Sequence, residues 1–180
     1  MTTDGRRRKG EQRRRQLLDA TMRVIERAGV AAVSQRVVAQ EAGVPPSAVT
    51  YYFPAVDDLL VAALADCNDC YLRRLDDCAR EPDPLAALAR LIAEGGDSRR
   101  AHTAAEYELF LIAARRPELQ PEVERWTAAV DAYLAPHAAD PVVRAAAAAA
   151  VDGLFLHCFV AAAPPSADEV RAVLASILGC

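Results

Sequence analysis

The stretch from Ser34 to Phe53 constrains the fold of this chain more than any other. It reads SQRVVAQEAGVPPSAVTYYF and contains two short helical patterns separated by Ala42-Gly43-Val44. Gly43 can adopt the left-handed backbone that a tight turn between two helices requires, and it does so without strain. Pro45 and Pro46 cannot lie inside a helix but fit its first turn, so a second helix can begin there. The stretch therefore predicts a helix-turn-helix.

The two predicted helices share an inner apolar face. Its members recur at spacings that fit two crossing helices better than one long helix, and they are Val38, Ala42, Val44, Val49 and Phe53. This leaves Ser47, Thr50 and Tyr51 of the second helix facing outward. Hydroxyls and flat aromatic rings on an exposed helix can contact phosphates, base edges and thymine methyl groups. We therefore expect this helix to enter the major groove of DNA.

The same region resembles the amino-terminal part of the TetR (tetracycline-repressor-like) family of transcriptional regulators. The family pattern can be followed from Arg15 to about Leu60, through Leu17-Leu18, Ala20, Gly29, Ser34, Val38-Ala39, Ala42-Gly43-Val44, Val49, Phe53 and Asp58-Leu59. The chain departs from it at Thr50, where the family usually has Tyr, and at Val56, where the family usually has a phosphate-binding Lys. A looser resemblance to the ligand domains of the family runs from Glu106 to Leu119.

The resemblance implies an all-α protein of about nine helices with two domains. Residues 1–56 would form a three-helix DNA-binding domain, and residues 57–180 would form a helical ligand-binding and dimerisation domain. The expected DNA contacts are Ser34, Gln35, Arg36, Pro46, Ser47, Thr50, Tyr51 and Tyr52. The Ser34 hydroxyl can cap a helix, and the resemblance adds a phosphate contact from the same side chain. Tyr51 is the leading candidate for a base contact.

The net charge of −4 conceals an asymmetry between these two parts, which we call the head (1–56) and the body (57–180). The head carries ten Lys or Arg against five Asp or Glu, a net +5, whereas the body carries eleven against twenty, a net −9. A basic head on an acidic body fits a DNA-binding domain joined to one that does not bind DNA. Residues 1–10 form a basic segment without apolar periodicity, expected to be either a disordered tail or an arm in the minor groove.

Proline, glycine and apolar periodicity divide the chain into helices, expected at about 11–28, 56–79, 85–94, 101–115, 121–134, 141–162 and 167–178 besides the two of the helix-turn-helix. The helix at 141–162 is apolar on more than one face, so we expect it to pair with that at 167–178 in a homodimer through a four-helix bundle. Its Asp152 and His157 argue against a membrane span. The polar amino terminus and five cysteines, an odd number, indicate a cytoplasmic bacterial protein with reduced thiols.

The body is expected to enclose a small, mostly apolar effector, as the resemblance implies. The candidate residues combine rings with polar groups, and they are Cys67, Tyr71, His102, Glu106, Phe110, Trp126, Tyr133 and His157. Each also has a plainer interpretation as a core or surface residue at helical spacing.

Two other functional classes can be compared with this one. A metal- or thiol-responsive regulator is an alternative, since five Cys and three His are available, although their spacing does not converge on a metal site. No GxSxG or HExxH motif is present, so neither an enzyme nor a cofactor is expected. The sequence therefore predicts a dimeric repressor that an effector releases from a roughly palindromic double-stranded DNA operator.

Overall fold

A computed structural model describes residues 3–96 and 99–180, and within them the chain forms nine α-helices and no strands. The helices are α1 (Thr3–Ala28), α2 (Gln35–Ala42), α3 (Pro46–Tyr52), α4 (Val56–Ala79), α5 (Pro84–Ala93), α6 (Arg100–Ile112), α7 (Gln120–Leu134), α8 (Pro141–Val160) and α9 (Ala167–Leu178). Three short 3₁₀ turns, Val30–Ala32, Glu94–Gly96 and Pro117–Leu119, lie between them.

The helix boundaries follow from capping residues and prolines. The Ser34 hydroxyl accepts a hydrogen bond from the Val37 N–H at 3.2 Å, which confirms the predicted cap of α2. The Glu169 carboxylate accepts the Ser166 N–H at 2.8 Å while the Ser166 hydroxyl accepts the Glu169 N–H at 3.3 Å, so the predicted capping box of α9 is also confirmed. Proline stands in the first turn of α3, α5, α7 and α8, where its missing N–H costs nothing.

The ends of the predicted helices agree with the structure to within two residues, apart from the start of α1 and the end of α6. The helix α1 begins at Thr3 instead of near Glu11, so the basic segment is helical over its described part, because Arg and Lys favour helix and no proline interrupts them. Met1 and Thr2 lie outside the described residues. The helix α6 ends at Ile112, three residues early, because the next residues form a tight turn with i to i+3 hydrogen bonds. Ala28, expected on the inner face of α1, is exposed.

Two apolar cores lie along α4. The first joins α1, α2 and α3 to the beginning of α4 and to α6, with Leu17, Ile25, Val38, Val49, Leu60 and Leu109 among its buried members. The second joins the end of α4 to α5, α7, α8 and α9, with Leu88, Ile92, Leu134, Val151 and Leu174 among its buried members. Because α4 is buried in both cores, it connects the head to the body as one continuous element. The division of the chain at residue 56 stays a prediction.

Candidate nucleic-acid interface and internal cavity

The turn between α2 and α3 is built as the sequence predicts. Gly43 has a left-handed backbone (φ 66°, ψ 38°), and the Val44 N–H donates to the Ala39 carbonyl at 3.0 Å. Val38 and Val49 are fully buried beneath the turn, so the crossing of the two helices is fixed by their packing. The outer face of α3 is thereby turned to solvent.

That outer face carries exposed polar and aromatic side chains. Ser47, Thr50 and Tyr51 are all exposed. Tyr52 is half-buried and packs edge to face against Tyr51, with ring centroids 5.1 Å apart. Pro46 is exposed in the first turn of α3. Such a surface offers hydroxyls and one large ring to a groove without any rearrangement of the helix.

Gln35 is more occupied than the sequence indicates. Its side-chain amide donates to the carbonyls of Phe53 and Pro54, each at 2.8 Å, and so ties the beginning of α2 to the end of α3. Its amide oxygen lies 3.5 Å from the Thr50 hydroxyl, which also donates to the Pro46 carbonyl at 3.2 Å. Gln35 therefore positions α3, and any DNA contact it makes must use the remaining capacity of its amide.

Arginines of α1 and α2 surround the helix-turn-helix. Arg23 and Arg27 of α1 form ion pairs with Glu41 at 2.8 and 2.9 Å, and these hydrogen bonds, that from Arg23 most strongly, hold the pKa of the Glu41 carboxyl below its usual range. Arg36 is exposed in the first turn of α2. Ser34 lies beside it, half-buried, with its hydroxyl on the cap.

A cavity of about 50 Å³, partly open to solvent, lies between α4, α6, α7 and α8. Five residues predicted for a ligand pocket line it, and they are Cys67, Tyr71, Glu106, Phe110 and Trp126. Five further lining residues were not predicted, and they are Leu64, Asn68, Tyr107, Asp152 and Phe155. Helical spacing from the predicted residues could have indicated Leu64 and Asn68, whereas Asp152 and Phe155 depend on how α8 crosses α4.

Three predicted pocket residues lie elsewhere. His102 faces α1 on the outer side of α6, where its Nδ1 lies 2.5 Å from a Glu26 carboxylate oxygen. Tyr133 donates its hydroxyl to the Pro84 carbonyl at 2.7 Å, so it ties α7 to the start of α5. His157 is exposed on α8. These three side chains do not line this cavity, because residue type alone does not fix which face of a helix meets a neighbour. His102 instead lies with Cys67 and Glu106 along a groove between α1, α4 and α6.

Aromatic rings form the walls of the cavity. Tyr71, Trp126 and Phe155 meet edge to face, with ring centroids between 5.7 and 6.1 Å apart. The Tyr71 hydroxyl donates to the Glu106 carboxylate at 3.0 Å, and burial raises the pKa of this hydroxyl, so it stays protonated. The walls are therefore apolar surfaces with a few fixed hydrogen bonds.

Two carboxylates of different surroundings reach this cavity. Glu106 is buried, and its Oε1 atom lies 3.1 Å from His102 Nε2 and 3.7 Å from the Arg99 guanidinium, outside good hydrogen-bond geometry with either. Asp152 accepts the Trp126 indole N–H at 2.9 Å, and among the described residues no Lys, Arg or His forms an ion pair with it. Burial raises the pKa of the Asp152 carboxyl despite that hydrogen bond. Such carboxylates beside ring faces favour a flat organic cation.

The cysteines are all free thiols. Cys67 is buried against Met22, with the two sulfur atoms 3.9 Å apart, and burial raises the pKa of its thiol. In the part of the chain that the structure describes, no three His, Cys, Asp or Glu side chains converge to hold a metal ion.

The outer surface of α8 and α9 is apolar. Large apolar side chains on it are exposed, namely Val142, Leu156 and Val160 on α8 and Val173 on α9. Between them on α8 lie small exposed residues at intervals of four, namely Ala145, Ala149 and Gly153, with Ala146 beside them. Within the described ranges, α8 is the one single helix long and apolar enough to cross a membrane, and 22% of its most apolar window is buried. Apolar helices that are covered by protein meet the same criterion.

Comparison with known proteins gives two matches to family models. Residues 17–63 match the model described as bacterial regulatory proteins, tetR family, and residues 79–179 match that of the tetracyclin repressor-like C-terminal domain. The chain is 30% identical over 171 residues to the HTH-type transcriptional regulator BetI of Rhizobium meliloti, covering 87% of this chain and 82% of BetI. It is also 34% identical over 85 residues to PksA of Bacillus subtilis, an HTH-type regulator of which the match spans less than half, 42%.

A solved structure adds similarity over most of the fold. The multidrug binding protein EbrR complexed with ethidium shares 37% identity at a TM-score of 0.78, covering 92% of this chain and 97% of EbrR. Further structures of EbrR contain malachite green and proflavin.

Proposed function

The chain belongs to the TetR family of bacterial DNA-binding transcriptional regulators, and from this premise we propose that it is a homodimeric cytoplasmic repressor released from its operator by an aromatic cation. The observation that carries the effector class is the Asp152 carboxylate, which faces an aromatic cavity without a cationic partner among the described residues.

The DNA contacts we propose centre on α3. Tyr51 reaches base edges or thymine methyl groups, and Ser47 and Thr50 assist it from the same face. Arg36 binds phosphate at the groove edge, with Ser34, Gln35, Pro46 and Tyr52 completing the surface. In a dimer the two α3 helices would lie about 34–36 Å apart, one turn of DNA, and so would read a roughly palindromic site.

The dimer we propose forms through α8 and α9. Their exposed apolar side chains would be covered by the same helices of a second copy, giving a four-helix bundle. Gly153 supports this arrangement. Glycine inside a helix costs about 1 kcal/mol relative to alanine, and no neighbour within one chain requires it, since a Cβ built at this position meets nothing within 4 Å. The backbone of the partner can approach closely at such a position.

The effector class rests on cavity chemistry and on EbrR. Ethidium, malachite green and proflavin, the ligands in the EbrR structures, are flat or propeller-shaped aromatic cations. The rings of Tyr71, Trp126 and Phe155 supply stacking faces, and Asp152 and Glu106 supply negative charge. The effector is therefore mostly apolar, as the sequence predicts, and it also carries positive charge.

Release from DNA would follow from the size of the cavity. A volume of about 50 Å³ is well below the roughly 300 Å³ or more that small-molecule sites occupy. A three-ring dye must therefore separate α4 from α6 and α8, and α4 runs directly into the head. A ligand that binds only this widened form shifts the pair of heads away from the spacing of the operator.

Fluorescence anisotropy would test this function. The purified protein is titrated against its own upstream intergenic DNA and against random DNA of equal length. We expect saturable preference for the upstream fragment, with two chains per site, and release on addition of ethidium or proflavin. Ethidium also intercalates into DNA, so the dye is first titrated with the protein alone, using Trp126 fluorescence. If the dye binds equally well with and without operator, it is not an inducer, and the effector assignment is wrong.

A further inference from the structure

The first half of α1 is polar on every side. From Arg7 to Gln16 the residues are exposed except for the half-buried Gly10, and the first buried residue after Arg7 is Leu17. A helical segment that buries so little apolar surface gains little from tertiary structure and is marginal in water. The described part of the basic segment, residues 3–10, which we call the α1 extension, therefore needs a partner to hold it as a helix.

The charge of the α1 extension identifies the class of that partner. Arg7, Arg8 and Lys9 are consecutive and exposed, and among the described side chains Arg7 forms an ion pair with Glu11 at 3.3 Å on the solvent side. Positive charge in the first turns of a helix opposes the helix dipole, so the segment is stabilised when an anion lies close to it. A polyanion with regularly spaced charges satisfies several such residues together.

The position of the α1 extension identifies the polyanion as DNA. A Cβ built on Gly10 would lie 3.7 Å from the Tyr52 hydroxyl, and the Arg14 guanidinium lies 5.5 Å from the centroid of the Phe53 ring. Both contacts place α1 beside the carboxyl end of α3. From Gly10 the extension continues for about 10 Å at 1.5 Å per residue. It therefore leaves the head next to the helix that we propose for the major groove.

We propose that the α1 extension binds backbone phosphates of DNA that flank the half-site read by α3, chiefly through Arg7, Arg8 and Lys9. This inference rests on the proposed placement of α3 in the groove. The extension lengthens the footprint and adds affinity, because each neutralised phosphate releases a counterion. Phosphate contacts carry no sequence information, so base preference stays with α3.

The test compares salt dependence on two lengths of operator. The operator is recovered from a random DNA library by binding selection, and two duplexes are made, one ending at the half-sites and one with ten further base pairs on each side. Wild-type protein is compared with a variant that carries Arg7→Ala, Arg8→Ala and Lys9→Ala. The control variant removes three exposed charges of the body through Arg73→Ala, Arg80→Ala and Arg115→Ala.

We call the Arg7→Ala, Arg8→Ala, Lys9→Ala protein the head variant. On the long duplex, its slope of log K against log salt should be smaller in magnitude than that of wild type by roughly 2–3 for each α1 extension that contacts DNA, whereas the slope of the control variant should equal that of wild type. On the short duplex wild type and head variant should be nearly equal. Equal slopes on the long duplex, or equal losses on both duplexes, would show that the α1 extension does not bind flanking phosphates. Absence of any selected operator would instead contradict the proposed function itself.

A second pair of variants tests the helical form of the α1 extension. Gly10→Pro keeps every charge but breaks the helix. In Gly10→Ala the added methyl group would lie at an ordinary van der Waals distance from the Tyr52 hydroxyl, and alanine stabilises the helix relative to glycine. We expect Gly10→Pro to lose the gain in affinity that the flanking base pairs give to wild type, and Gly10→Ala to retain that gain. If both variants keep the wild-type slope, the segment acts as a flexible tail and the helical placement is wrong.

Discussion

Tyr51 exposes 80% of its surface on the outer face of α3, where its ring contacts Tyr52 by one edge and is otherwise open to solvent. We expect Tyr51→Ala to change the order of preference among operator variants, because a base contact carries sequence information. Arg36→Ala should weaken binding to all sequences alike and lower the salt slope by ~1, because it removes one phosphate contact. Anisotropy on specific and random DNA separates the two effects. An equal loss on both DNAs for the Tyr51 variant would refute its role.

Asp152 should determine affinity for cations. We expect Asp152→Asn, which keeps the size of the side chain, to weaken proflavin binding roughly tenfold, about 1.4 kcal/mol. A neutral ring system such as phenanthridine at pH 8 should bind both proteins equally. Intrinsic fluorescence titration measures both affinities. If the substitution weakens binding of the neutral ligand as much as binding of the cation, Asp152 acts through the packing of Trp126 instead of through its charge.

The pH dependence of cation binding has a defined sign. Burial raises the pKa of Asp152 above the usual range of an aspartate. As the pH falls through this raised pKa the carboxylate is neutralised. Cation affinity should therefore begin to decrease at a higher pH than it would for an exposed aspartate. The Asp152→Asn protein should lack this dependence. Titrations between pH 4 and 8 with a dye of fixed charge such as ethidium measure it, and a profile shared by wild type and variant would assign the effect to another group.

His102 joins the head to the body through two carboxylates. The Glu106 carboxylate chiefly, 3.1 Å from the ring, and the hydrogen bond to Glu26 raise the pKa of the imidazole against the opposing effects of burial and Arg99. A raised folded-state pKa means that the stabilisation is fully present below the unfolded pKa and is lost as pH rises through the folded value. Urea unfolding should therefore show wild type more stable relative to His102→Gln at pH 6 than at pH 9. A difference independent of pH would exclude this explanation.

At the scale of elements, α6 connects the cavity with the head. Tyr107 and Phe110 line the cavity, while Glu108 on the same helix accepts the N–H of Val30 at 2.7 Å, immediately after α1. The pair of Arg116 and Asp57 joins the segment after α6 to the first turn of α4. Displacement of α6 by a ligand would therefore reach the head by two routes besides α4 itself.

This arrangement predicts the effect of Glu108→Ala. The variant should bind operator and proflavin within about twofold of wild type when each is measured alone, because Glu108 touches neither. The factor by which proflavin weakens operator binding should fall, since one link between α6 and the head is lost. Glu118→Ala, an exposed change in the turn before α7, serves as the control. An unchanged coupling factor would remove α6 from the route.

At the scale of the whole molecule, the apolar surface of α8 and α9 is the dimer interface that we propose. We expect Gly153→Arg to prevent dimerisation, because a charged side chain would lie between two closely packed α8 helices. Operator affinity should then fall by roughly 100-fold, since the two heads no longer bind as one unit. Sedimentation velocity measures the mass. Ala128→Arg, at an exposed position of α7, is the matched control. A dimeric Gly153→Arg protein would place the interface elsewhere.

The charge distribution also acts at this scale. The head carries +5 and the body −9, so the field of the molecule orients the head towards DNA and keeps the body away from it. The net negative charge of the body also favours the approach of a cationic effector. One asymmetry in sequence thus favours both of the proposed partners.

Sequence alone determined the elements of this protein. The turn at Gly43, the caps at Ser34 and Ser166 and the bounds of α4 and α9 were all predicted correctly, because they depend on residues within one or two helical turns. The buried face of the helix-turn-helix was predicted for the same reason. Apolar periodicity over a short window suffices to fix which side of a helix is covered.

Only the tertiary structure decided which distant side chains meet. Glu106 bonds Tyr71 within the cavity, His102 turns away towards Glu26, and Asp152 enters the cavity from α8. The sequence did not indicate these pairings, and it assigned Tyr133 and His157 to a cavity that they do not line. Helix crossing angles depend on packing between residues far apart in the chain. A rotation of one residue turns a side chain by about 100°, from a cavity wall to solvent.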